Sequence, residues 1–117
     1  MNTTENNKLI AEFMGGLWNE PAQKYGIGNA QYVDNGTFKN VVKAKYHYSL
    51  NELLYHSSWD WLMEVVKKIK SIETAKIIGI TYYDDWEVVI NEALISTNID
   101  KIYNICISFI EWYNKQK

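Results

Sequence analysis

The 117-residue sequence contains no arginine, and all twelve of its basic residues are lysine. Without the planar guanidinium fork there is no bidentate grip on phosphate or on a guanine edge, which disfavours sequence-specific reading of DNA. Only one cysteine is present, Cys106, so neither an internal disulfide nor a cysteine-based zinc site can be built within one chain. Proline is limited to Pro21. No apolar run approaches the ~20 residues of a membrane span, and the polar start Met1-Asn2-Thr3-Thr4-Glu5 is not a secretory signal. These absences lead to the expectation of a cytoplasmic protein with no membrane partner.

What is present bounds the answer further. At 47% hydrophobic and 22% charged residues, the chain can bury a core, and its length suits one domain. The net charge of −2 gives no basic footprint at whole-chain level. The aromatic fraction, 15%, comprises five Trp, nine Tyr and three Phe, so either the core or a contact surface is unusually aromatic.

Periodicity places three helices. Leu9, Ile10, Phe13 and Met14 recur at helical spacing behind a candidate cap at Thr4, and Gly15-Gly16 stops the run, which predicts a first helix over residues 5–14. Ser57 and Asp60 stand in capping-box spacing ahead of Trp59, Leu62, Met63, Val66 and Ile69, which predicts a second helix over 58–70. Thr97 and Asp100 offer another box, and Ile102, Cys106, Phe109, Ile110 and Tyr113 form a stripe over 99–115. Residues 17–36 read as irregular, with Trp18, Tyr25 and Tyr32 as aromatic pegs, although so long a structureless stretch favours some strand within it. Beyond Asn35-Gly36, Val42, Ala44, Tyr46 and Tyr48 alternate with Lys43, Lys45 and His47, the pattern of a half-buried strand over 38–48. Ile77–Tyr83 and Trp86–Ile90, joined across Asp84-Asp85, read as a hairpin. The expected architecture is a single α+β domain, 1–117, with three helices packed on a small antiparallel sheet.

No catalytic constellation stands out. His47 and His56 lack the spacing of a helical metal pair, Cys106 falls on a helical stripe, and Ser57 and Ser58 serve a helix cap with no G-x-S-x-G elbow around them. Gly26-Ile27-Gly28 lacks the third glycine of a dinucleotide fingerprint. Neither a metal nor a cofactor is expected. The candidate partner-binding residues are Tyr82, Tyr83, Asp84, Asp85 and Trp86 at the hairpin, together with Trp18, because aromatics beside carboxylates suit a basic partner. The competing reading buries Tyr82 or Tyr83 with Trp86 as cross-strand core partners. Lys43 and Lys45, with Lys67 and Lys68, form the candidate basic patch. If the two clusters merge, single-stranded RNA contact through Tyr46 and Tyr48 becomes possible, since base stacking needs no arginine.

Three blocks carry a family resemblance: Asn7–Gly16 (NKLIAEFMGG), Tyr55–Ile69 (YHSSWDWLMEVVKKI) and Phe109–Asn114 (FIEWYN). Together they resemble the small "ABA sandwich" domain proteins of phages and prophages, notably of Bacteroidota. The chain departs from that pattern at Gly16 and Glu64, and residues 17–54 have no counterpart in it. The resemblance implies a fold and a genomic setting but no activity or catalytic residue. It directs the functional expectation to a non-enzymatic phage accessory protein that inhibits host defence, of the anti-CRISPR type, by binding a host protein or ribonucleoprotein effector. The alternatives are a homo-oligomeric sponge for a nucleotide immune signal, stacking it on Trp18, Tyr46 or Trp86, and a small phage morphogenesis component.

Overall fold

In the computed structural model the described residues are 3–33, 41–77 and 84–115, with the side chains of 41, 73–77 and 84–89 set aside. The chain is α+β, as the sequence pattern leads one to expect. Its contacts group into two compact units, Met1–Leu54 and Tyr55–Lys117.

The first unit opens with α1 (Thr3–Phe13), which buries Ile10 and Ala11 completely. Thr4 lies inside the first turn of this helix and not at its cap. The glycine stop works as the sequence suggests. Gly15 takes φ +83° and donates to Glu12 O at 3.1 Å, while Gly16 donates to Ala11 O at 2.8 Å. This pair of bonds satisfies carbonyls that the helix end would otherwise strand.

Residues 17–33 hold three short strands: β1 (Leu17–Asn19), β2 (Lys24–Ile27) and β3 (Gln31–Val33). The expected continuous strand over 38–48 is instead two, β4 (Val41–Lys43) and β5 (Tyr46–Tyr48), and residues 34–40 lie outside the described chain. β1, β2 and β5 form one antiparallel sheet with β2 in the middle, whereas β3 and β4 pair separately. The bend at Ala44-Lys45 carries the chain from one sheet to the other, which is why the alternation does not run through. Val42 is buried, but Tyr46, in phase with it, is exposed. Period 2 reports a common face only within one sheet.

The two faces of the three-stranded sheet are covered differently. Tyr25 in β2 reaches α1 from one face, its hydroxyl donating to Glu12 Oε2 at 2.7 Å. On the other face a Cβ at Gly26 would overlap the side chains of Val42 and Ala44, so glycine there permits the close approach of the β4 segment. A 3-10 turn, Leu50–Glu52, closes the unit, and buried Asn7 Nδ2 donates to Leu53 O at 3.1 Å.

The second unit is helical. α2 (Trp59–Ile77), α3 (Asp84–Ser96) and α4 (Ile99–Lys115) pack on one another. α2 and α4 match the expected helices, with α2 running a further seven residues beyond 70. Leu62, Val65, Val66 and Ile69 are buried along α2, and Ile102, Cys106, Phe109 and Ile110 along α4. A fully buried aliphatic side chain of this kind contributes ~1.5–3 kcal/mol. Trp59, expected on the buried stripe, is instead 40% exposed, while Trp61 sets its edge against buried Tyr55 at 5.0 Å between ring centroids.

Both caps sit one residue later than the boxes suggested. Ser58 Oγ accepts from Trp61 N at 3.5 Å, and Asn98 Oδ1 accepts from Lys101 N at 3.2 Å. Thr97, with φ +55°, makes the turn into α4 instead of capping it.

The expected hairpin is overturned. Residues 84–90 belong to α3, and Ile77 ends α2; residues 78–83 lie outside the described chain. The β-branched run Val88-Val89-Ile90 favours a strand when read alone, but Glu92-Ala93-Leu94 follows it with good helix formers. Ile90 and Ala93, three residues apart, are both buried, which is helical spacing. Lys70 Nζ donates to Asn91 Oδ1 at 2.8 Å and links α2 to α3.

Candidate functional site

The strands of the first unit bring its aromatic residues into rows. Antiparallel register sets Trp18 opposite Tyr25 and Tyr25 opposite Tyr48, so one residue from each strand of the sheet lies in line across one face. Ile27 and Tyr46 form the next row on that face. Trp18 and Tyr25 meet at 4.9 Å between centroids with planes tilted by 59°. Tyr46 and Tyr48, two residues apart on β5, stack at 5.9 Å between centroids with planes 28° apart.

Burial divides these rings by role. Tyr25 is enclosed, and burial first, then the hydrogen bond to the Glu12 carboxylate, holds its phenol protonated well above the ordinary tyrosine range. Trp18 is half-buried, and its indole N–H donates to Glu20 Oε2 at 2.5 Å. Tyr32, half-exposed, spans to the Trp18 carbonyl at 3.4 Å. Tyr46 is the more open of the two β5 tyrosines, at 48% exposure.

Lys45 Nζ lies 5.3 Å from the centroid of the Tyr46 ring. An exposed cation–π contact of this kind contributes about 0.5–1 kcal/mol.

Charge is segregated along the same stretch. Between Asp34 and Glu52 there is no carboxylate, while Lys39, Lys43 and Lys45 all fall there with His47. A chain of net charge −2 thus carries a locally cationic segment. Just after it, Glu52 accepts from the backbone N–H of Ser49 at 2.8 Å, and that bond and the Ser49 hydroxyl hold its carboxyl below the usual range.

Of the candidate partner-binding residues, Tyr82 and Tyr83 lie outside the described chain. Asp84, Asp85 and Trp86 open α3 and form no hairpin tip. Trp18 belongs to the sheet of the first unit. In the candidate basic patch, Lys43 and Lys45 are exposed on the β4–β5 segment, and Lys67 and Lys68 lie on α2 in the other unit. Lys67 pairs with Glu64 at 3.3 Å on an exposed face, a contact of about 0.3–0.5 kcal/mol.

His47, His56 and Cys106 lie in separate parts of the chain. His47 is exposed on the sheet face opposite Tyr46 and Tyr48, and His56 is half-buried with its ring 6.4 Å from that of Tyr103. Cys106 is fully enclosed in α4, and burial pushes its thiol up to about 12. Among the described residues, no three His, Cys, Asp or Glu side chains gather as metal ligands would, and no helix is long and apolar enough to cross a membrane.

The geometry therefore defines an α+β protein with an aromatic, lysine-flanked strand at the surface of its sheet unit. Compared with known proteins, the chain matches no family model, no curated sequence and no solved structure.

Proposed function

We propose that this is a non-enzymatic binding protein of a phage or prophage, an inhibitor of host defence of the anti-CRISPR type. It acts in the host cytoplasm by contacting a nucleic-acid-processing effector. The observation that carries the reading is the aromatic exposure on the two small sheets of the first unit: Tyr32 on β3 and Tyr46 on β5 are each about half exposed, at 50% and 48%. Tyrosines offer large contact area at low entropic cost, and on a binding protein they serve as anchors. The phage-like blocks add support, since they coincide with α1 and its glycine stop, the start of α2, and the end of α4.

Two measurements test the reading. Expressed in a host with an active CRISPR system, the protein should raise the plating of a targeted phage, and a tagged copy should co-purify with the effector ribonucleoprotein. Unchanged plating together with no co-purifying effector overturns it.

A further inference from the structure

We infer that the β5 surface formed by Tyr46 and Tyr48 binds an unpaired strand of nucleic acid, with bases stacking on the tyrosine rings and Lys43 and Lys45 meeting the phosphates. This names the chemistry of one contact within the binding function proposed above. It is tested on nucleic acid alone, so the two can fail separately.

Three observations carry it. The two rings stack on one strand, 5.9 Å apart and 28° from parallel, and Tyr46, 48% exposed, is the more open of the pair while Tyr48 is half-buried. Lys45 already rests its ammonium 5.3 Å from the Tyr46 centroid, a weak surface contact that a base would replace. The segment is cationic within an acidic chain, with no carboxylate between Asp34 and Glu52. Stacking is indifferent to base identity, and lysine contributes point charge without a bidentate fork, so the expected binding is strand-selective and sequence-tolerant. A duplex hides its base faces and offers only phosphates to this surface.

The experiment is a fluorescence-anisotropy titration of the full chain with a labelled mixed-sequence single-stranded RNA, the same sequence as single-stranded DNA, and the RNA duplex. Binding to a single strand with weaker binding to the duplex is expected, and comparison of the first two probes identifies the natural source. Loss of one stacked base should weaken binding by about 5- to 150-fold in the Tyr46→Ala variant. Tyr46→Trp should keep the affinity or improve it. Lys45→Gln should flatten the logarithmic salt dependence by about 0.7. No binding at low salt, equal binding of the duplex, or equal binding by a Tyr46→Ala/Tyr48→Ala variant with wild-type thermal unfolding overturns the inference.

Discussion

The hydroxyl of Tyr25 donates a 2.7 Å hydrogen bond to Glu12 Oε2, joining the middle strand of the sheet to the helix that precedes it. The ring is enclosed and packs against Trp18, so one side chain anchors both the sheet and α1. Glu12 is itself exposed and regains water when the bond is removed. Tyr25→Phe should therefore cost about 1.5 kcal/mol, at the low end for a bond to a charged group, and denaturant unfolding measures it.

The same contact sets an alkaline limit. Folding raises the Tyr25 pKa above its ordinary value, so the folded chain holds the phenolic proton more tightly than the unfolded one. That stability is intact below pH ~10 and declines as pH rises past it. Tyr25→Phe should lose less stability than wild type between pH 9 and 11, as followed by circular dichroism.

α3 provides a direct comparison between helix and hairpin. Glu92 is exposed in the interior of α3. Glu92→Gly should cost roughly 0.5–1 kcal/mol through helix propensity. Past the end of a strand at residue 90, the same change would be close to neutral. Chemical denaturation distinguishes the two.

The caps make a sharper local prediction. Asn98→Ala should destabilise by about 1 kcal/mol, because the Lys101 N–H loses its acceptor. Gly15→Ala should cost a similar amount, roughly 1 kcal/mol, since φ +83° disfavours any Cβ. Thermal unfolding of each variant is the check.

Cys106 should be silent in the native protein. With its thiol enclosed and pushed up to about 12, almost no thiolate forms at neutral pH. A thiol reagent should label it only after denaturant is added, and prompt native-state labelling would contradict its place in the α4 core.

How much of this was legible in the sequence follows from the length over which each pattern repeats. α2 and α4 span four turns or more, so a 3.6-residue stripe such as Ile102, Cys106, Phe109 and Ile110 declares itself. β1, β2 and β3 have only three or four residues each, too few for alternation to register, and the β2–β5 pairing that completes the sheet joins partners as far apart as Tyr25 and Tyr48. In α3 a β-branched run masked a helix whose evidence lay just downstream, in Ala93 and its neighbours.

The candidate site divides along the same line. Tyr46 and Tyr48 were readable as a stacking pair on a strand. That Tyr46 faces water was not, because the change of sheet at Ala44-Lys45 reverses the sense of the alternation. Trp18 was readable as an aromatic peg, but its bond to Glu20 and its packing on Tyr25 depend on strand register.

The central claim is that the aromatic β5 surface is how this protein engages its target. The most direct test is the plating of a CRISPR-targeted phage on a natural host expressing either wild-type protein or the Tyr46→Ala/Tyr48→Ala variant, with accumulation and thermal unfolding matched. Wild type should restore plating to the level seen without a targeting spacer, and the variant should not. Equal protection by both, or none from either, would contradict the account.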